Sequence, residues 1–393
     1  MRELASRLKH VLLSTRRMHF AFTEEQEELR KSARRLLETA SPTKEVRAAM
    51  ATPRGYDEAL WRRIGEELGF TSLVIPEAYG GAGLGFVELA AVMEEMGRAL
   101  ACAPFFSTVC LATSAIVTGG TEEQKRDLLP GIAAGRTTAT LAFAPPSGRW
   151  DAPGSDAVFL PCADGFELSG KTSFVIDGHT AALVIVAARS SADAGRTSLF
   201  VVPAETAGLV RRALPTMDMT RKQAELTLTN VRVPTAALLG VADGDRTLAR
   251  VLDLAKVALA AEQVGGAERC LDMSVDYAKT RVQFGRPIGS FQAIKHKLAD
   301  MFVEVESARS ASYYAAWTAA HDEAELPAAA ALAKAYCSDV YFRVAAECIQ
   351  IHGGVGFTWE HDAHLFFKRA KSSETLFGDA AFHRAIVARQ MGL

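Results

Sequence analysis

The sequence predicts an α+β protein, with a helical N-terminal domain, a β-barrel or sandwich in the middle and a four-helix bundle at the C-terminal end. Three observations predict it. Apolar residues recur every three or four positions up to about residue 135 and again from about residue 241. Between those limits the period drops to two and β-branched residues accumulate. The 393-residue length is too great for one small core. The expected division is an N-terminal extension over 1–19, a helical domain over 20–135, a β domain over 136–240 and a helical bundle over 241–393.

Each element has a local reason. Thr23 precedes Glu24, Glu25 and Glu27, so acids crowd the first turn of a helix, where its dipole favours them. Asp57 is placed to cap a second amphipathic helix through Trp61, Ile64 and Leu68. Gly80-Gly81-Ala82-Gly83 interrupts the pattern before a helix over 86–100. Thr121-Glu122-Glu123 opens a short helix expected to end at Pro130-Gly131. Strands are expected over 137–143, 165–169, 182–188, 199–202 and 225–228, in an antiparallel arrangement. Pro145-Pro146-Ser147-Gly148, Asp164-Gly165 and Asp177-Gly178 supply turns between them. In the last zone, Ile288, Phe291, Ile294, Leu298, Met301 and Val305 form the stripe of a bundle helix. The stretch 251–267 is apolar around most of its circumference and reads as a central helix, in which Gly265-Gly266 permits close approach.

Composition excludes several classes. A net charge of −2 gives no electrostatic reason to expect nucleic acid or an acidic membrane surface. The longest apolar stretches, 181–188 and 326–333, are too short to span a bilayer. Six scattered cysteines (Cys102, Cys110, Cys162, Cys270, Cys337 and Cys348) form no C-x-x-C pair. They read as buried small hydrophobes of a cytoplasmic protein. Residues 1–17 carry Arg2, Arg7, Lys9, Arg16 and Arg17 against Glu3, without a signal-peptide core, and Met18 precedes the first patterned helix.

Three segments carry chemistry. The first is Pro76-Glu77-Ala78-Tyr79-Gly80-Gly81-Ala82-Gly83-Leu84, followed by Glu94-Glu95-Met96-Gly97-Arg98. The second runs from Tyr277 through Arg281-Val282-Gln283-Phe284-Gly285-Arg286-Pro287-Ile288 to Met301. The third is Gln350-Ile351-His352-Gly353-Gly354-Val355-Gly356-Phe357 with Glu360. Arg281 offers a planar fork of donors suited to a pyrophosphate, Gln283 an amide donor and Phe284 an apolar face for a ring. Gly353-Gly354 strips two side chains so that backbone N–H groups can reach a ligand. The bland alternative is a surface ion pair at Arg281 and glycines that only end a helix.

Together these blocks, over residues 20–393, resemble the acyl-CoA dehydrogenase family. The resemblance implies FAD as cofactor and an acyl-CoA as substrate, with an electron-transfer flavoprotein or similar acceptor. It also implies an oligomer in which Arg281, Gln283, Phe284, Gln350, Gly353 and Gly354 bind the flavin of a neighbouring subunit. Phe174 keeps the aromatic of the family's flavin-facing W-I-T-N-G segment, here Phe174-Val175-Ile176-Asp177-Gly178. Such proteins remove two hydrogens from adjacent carbons of the thioester, and a carboxylate takes the α-proton.

The sequence departs from the family at that carboxylate. Phe377, in Leu376-Phe377-Gly378-Asp379, stands where the resemblance places a glutamate, and Ala255, beside Lys256, stands at the alternative seat on the long central helix. Neither a phenyl ring nor a methyl group accepts a proton. The V-T-E-P strand becomes Phe143-Ala144-Pro145-Pro146, and Ile176 replaces a second threonine. Losing two polar contacts, each worth roughly 0.5–1.5 kcal/mol, weakens any flavin held by this chain's own β domain. Glu374, Asp379 and Glu262 are candidate relocated bases, Asp379 foremost because it stays in the loop; each is otherwise a structural or solvated acid. His361 and His364 have the look of a metal pair but lack a third ligand, so no metal is expected. His352 reads as a packing or flavin-edge residue. These departures lead to the expectation of a subunit in a hetero-oligomeric dehydrogenase whose partner supplies the base. A homo-oligomer with a relocated base and a non-catalytic acyl-CoA- or flavin-binding protein are the alternatives.

Overall fold

Helix caps and buried stripes set the first layer. The computed structural model describes residues 22–150, 156–191, 195–240 and 243–393, so the expectations for residues 1–19 and for Phe20 lie outside it. Helix α1 (Glu24–Ala40) starts with the Thr23 hydroxyl accepting from the Gln26 N–H, while the Gln26 side chain accepts from the Thr23 N–H. Helix α2 (Thr43–Ala51) follows, and Asp57 caps α3 (Glu58–Arg62), which widens into a π turn over Arg63–Glu67. Helix α4 (Phe86–Arg98) buries most of its length. A fully buried π-helical stretch, Phe106–Thr113, runs into α5 (Ser114–Gly119).

Helix α6 (Glu122–Ala133) does not stop at Pro130 as expected. The proline removes one N–H donor, but the turn still closes, because Ala134 N–H reaches the Pro130 carbonyl at 3.2 Å and Leu129 and Ile132 are wholly buried.

The middle of the chain forms one curled seven-stranded sheet. Its strands are β1 (Ala139–Ala142), β2 (Val158–Cys162), β3 (Gly165–Ile176), β4 (Leu183–Ser190), β5 (Thr197–Pro203), β6 (Leu209–Ala213) and β7 (Gln223–Pro234). The order is β1-β4-β2-β3-β7-β6, with β5 also on β4. The sheet is mixed and not purely antiparallel as expected, because β1 and β2 both pair with β4 in parallel. Strands β2 and β6 escaped the sequence reading because they are mostly exposed and show no buried alternation. Cys162, on β2, is exposed, which corrects its expected burial; the other five cysteines are buried.

The last layer holds α7 (Gly244–Thr280), α8 (Gln292–His321), α9 (Leu326–His352), α10 (Ala363–Thr375) and α11 (Ala380–Gln390). Helix α7 is central: every residue from Leu254 to Ala267 is buried. A Cβ on Gly265 would collide with the Glu94 carbonyl of α4, and one on Gly266 with the Tyr341 ring of α9, so the glycine pair sets how closely three helices meet. A tight hairpin, β8 (Val282–Gln283) with β9 (Arg286–Pro287), joins α7 to α8, and a 3-10 turn over Gly353–Phe357 follows α9. Among the described residues, no helix is long and apolar enough to cross a membrane.

Candidate active site

The loop after α10 is clamped from two helices. The Lys334 amine of α9, with no exposed surface, donates to the carbonyls of Glu374 and Gly378, each at 2.9 Å, and to Ser338 Oγ at 3.0 Å. Burial pushes that amine down to about 7. His383 Nε2 of α11 lies 2.9 Å from the Phe377 carbonyl; burial, and then the charges of Lys334 and Lys256, push its imidazole down to about 3. Because the ring is neutral, this nitrogen is the donor to the carbonyl.

The clamp holds Phe377 in the left-handed region at φ 62°, a costly conformation for a bulky side chain. Its ring is 4% exposed and sits among three other aromatics, with centroids 6.0 Å from Phe106, 6.0 Å from Phe143 and 5.8 Å from Trp150. The seat where a base was sought is thus the centre of an apolar cluster. Each such ring pair is worth about 0.5–1.5 kcal/mol beyond area burial.

Every acid weighed as a replacement has another employment. Asp379 Oδ1 accepts from the Phe382 N–H at 2.8 Å and caps α11, with its side chain on the exposed side. Glu374 pairs with Lys371 at 2.8 Å. Ala255 is fully buried, and its neighbour Lys256 pairs with Asp253 at 2.5 Å.

Glu262 is 3% exposed and chelated by two guanidinium groups. Arg221 grips both its oxygens, and Arg369 Nη1 donates to it at 3.0 Å. Arg369 also pairs with Asp218 at 3.0 Å, and Arg221 lies 5.3 Å from the Phe106 centroid. Beside them Asp177 accepts from Ser107 Oγ at 2.6 Å, and burial pushes its carboxyl up to about 6. The residual cavity among Met96, Phe106, Asp177, Arg221, Glu262 and Arg369 measures about 30 Å³. That is room for roughly two waters, not for an acyl chain.

Phe174 is half-buried in the left-handed region at φ 57°, under the Pro145–Gly148 turn, where a Cβ on Gly148 would come within 3.3 Å of its ring. The remaining predicted residues lie elsewhere. Arg281 caps the end of α7 through its backbone, and Arg281, Gln283 and Phe284 are all exposed, Phe284 to 91%. Gln350, Gly353 and Gly354 are exposed as well, and a Cβ on either of those glycines, or on Gly285, would meet open space. The turn carries Val355 and Phe357, 51% and 76% exposed. Behind it His352 is buried, with Nδ1 2.7 Å from the Cys348 carbonyl and its ring packed at a tilt between those of Tyr277 and His361. His364 Nε2 lies 3.1 Å from the Trp359 carbonyl, so the two histidines of His-Asp-Ala-His are engaged separately.

Sequence reasoning missed Phe106, Trp150, Arg221 and Arg369. Phe143 was in view only as the end of a strand, beside Ala144 where the resemblance places a threonine. Nothing local marks the two arginines, since their partners are far away along the chain.

The chain matches the family models for the acyl-CoA dehydrogenase N-terminal domain over residues 23–136 and C-terminal domain over 242–392. It is 38% identical to acyl-CoA dehydrogenase IpdE2 of Mycolicibacterium smegmatis over 359 residues, covering 91% of this chain and 95% of that protein. Its fold is similar to a chain of the ChsE4-ChsE5 complex from Mycobacterium tuberculosis, with a TM-score of 0.87, 29% identity and coverage of 95% and 99%. It is likewise similar to butyryl-CoA dehydrogenase from Megasphaera elsdenii, with a TM-score of 0.88, 28% identity and coverage of 96% and 100%. The chain belongs to the acyl-CoA dehydrogenase family of oxidoreductases, whose cofactor is FAD.

Proposed function

We propose that this chain is the base-less subunit of a hetero-oligomeric acyl-CoA dehydrogenase, completing a flavin site whose proton acceptor comes from a second dehydrogenase subunit. The observation that carries the reading is the packing of Phe377 against Phe106, Phe143 and Trp150 where a glutamate is sought. Glu262 is chelated by arginines and Asp379 is spent as a cap, so neither of these acids is left to serve as the base at that place.

The outward segments support the other half. Arg281 and Gln283 are exposed and can hold a pyrophosphate, the bare backbone at Gly353-Gly354 can approach it, and Phe284 can cover an apolar ring edge. Phe174, under the Pro145–Gly148 turn, keeps the aromatic that would face a flavin held by this chain's own β domain. Bound FAD supplies the two-electron acceptor for α,β-dehydrogenation of an acyl-CoA, and an electron-transfer flavoprotein or similar protein reoxidises it. This chain's residues orient and shield the cofactor; the partner's carboxylate removes the α-proton. The similarity to a chain of the ChsE4-ChsE5 complex is in keeping with a paired assembly.

The test is the flavin-to-chain ratio and turnover of the chain purified alone and with a co-encoded dehydrogenase. Little flavin alone and full loading with turnover in the pair is the expected result. Full loading and turnover by the single chain would overturn it.

A further inference from the structure

A second cavity, of about 260 Å³, opens between α1, α2, the end of α4, α7 and α10, and shares no lining residue with the first. Its apolar wall is Leu37, Val46, Leu100 and Phe366, and Ser41, Thr43 and Arg269 also line it. Helix α2 starts here without a side-chain cap, because its N-cap residue is Pro42. The N–H groups of Glu45 and Val46 turn back to the Pro42 carbonyl at 2.8 and 3.1 Å, but those of Thr43 and Lys44 have no partner among the described residues. Free N–H groups at a helix start attract oxyanions.

Two independent features point the same way. Ser41 is only 4% exposed, yet its hydroxyl has no hydrogen-bond partner among the described residues and opens on this cavity. A hydroxyl without a protein partner that faces a cavity is available to a ligand or to water there. Arg269 makes no ion pair among the described residues, whereas the other two arginines of the lining are occupied. Arg34 is bound in a fork by Glu95 at 2.8 and 2.9 Å, and Arg98 pairs with Glu268 at 3.0 Å and Asp272 at 2.7 Å. The one unengaged acid in the lining, Glu38, is exposed.

We propose that this cavity binds a small organic oxyanion, its charged end on the α2 N-terminus, Ser41 and Arg269 and its short apolar body on Leu37, Val46, Leu100 and Phe366. Drug-sized ligands fill about 300–1,000 Å³, so the cavity suits a smaller molecule. The proposal stands apart from the hetero-oligomer reading and survives its failure.

Isothermal titration of the full chain with pentanoate and with inorganic phosphate tests it, the two arms separating a carboxylate end from a phosphate end. Saturable binding of at least one of them, one per chain, is expected. Arg269→Gln removes the charged donor. Thr43→Pro removes one helix N–H at a position where proline is well tolerated. Each is expected to weaken binding about tenfold or more without moving the melting temperature of the free chain, and Arg269→Lys to fall between. Absence of saturable heat with either anion, or affinity unchanged in both variants, overturns the proposal.

Discussion

Phe377 and Phe284 are the same residue type in the same left-handed backbone conformation, at φ 62° and 53°, yet one ring is 4% exposed and the other 91%. They stand for two regions. The interior between the sheet and the bundle has been closed by four aromatic rings and a chelated glutamate. The outer surface beyond α7 and α9 has been left bare, with an arginine, an amide, two open glycines and an unpacked phenyl ring. A strained conformation persists only where something over-determines it. At Phe377 that something is visible, in Lys334 and His383. At Phe284 the two-residue turn of the β8–β9 hairpin sets the backbone, and among the described residues the ring itself makes only an edge contact with Phe291, 6.1 Å between centroids. The difference suggests that the interior serves this chain and the outer face serves another molecule.

The largest effects should come from the interior. Glu262→Gln leaves two buried guanidinium groups short of their counter-charge and is expected to cost about 3–5 kcal/mol, read from urea unfolding of the chain alone. A loss below about 1 kcal/mol would show that Glu262 is not locked by Arg221 and Arg369, and would return it to the list of possible bases. Phe377→Ala, which opens a hole among three rings, is expected to cost about 3–5 kcal/mol in the same assay. Arg281→Ala should do the reverse. In the paired enzyme it is expected to lose about 2–5 kcal/mol of flavin binding, read as the free FAD needed for half-loading. In the chain alone its unfolding midpoint should stay put, because the side chain is exposed. A destabilised free chain with normal flavin affinity would erase the distinction between the two regions.

The pattern of the sequence revealed most of the fold, because helix caps and apolar stripes are local signals. Thr23, Asp57 and the Gly265-Gly266 pair did what their neighbourhoods implied. Strands β2 and β6 did not announce themselves, since an exposed strand has no buried alternation. The parallel pairing of β1 with β4 depends on a connection that no local period encodes. At the site, the empty base positions were legible as residue identities. What filled them was not: Phe106 and Phe377, or Arg221 and Glu262, meet only through the tertiary fold.

A middle-sized effect tests the charge inside the closed region through pH. Asp177 is a buried carboxyl whose folded value, about 6, lies above its ordinary 3.8. Between those values the folded chain keeps a proton that the unfolded chain has released. Stability from this group is therefore present below pH 4 and lost as pH rises to 6. A carboxyl raised from 3.8 to about 6 corresponds to roughly 3 kcal/mol. Asp177→Asn keeps an acceptor for Ser107 and tolerates φ 54°. Its stability relative to the parent chain is expected to climb by about 2–3 kcal/mol between pH 4 and 6, measured by unfolding across that range. A flat difference would mean that Arg221 and Arg369 already hold Asp177 ionised.

The smallest effect is the one that most sharply divides the two regions, because it uses the residue type already tested inside. Phe284→Ala removes a ring that the chain hardly touches, so stability of the chain alone should change by less than about 0.5 kcal/mol. If the ring covers a partner's flavin, the same substitution removes apolar contact worth roughly 1–2 kcal/mol, or about tenfold in FAD retention by the pair. The measurement is FAD release from the complex on dilution, for Phe284→Ala and Phe284→Leu side by side. Leucine should restore most of the retention if apolar cover is the ring's contribution. Should neither variant change FAD release, the bare ring at φ 53° serves something other than the cofactor, and the claim that the outer face is built for a neighbour's flavin would rest on Arg281 and the glycines alone.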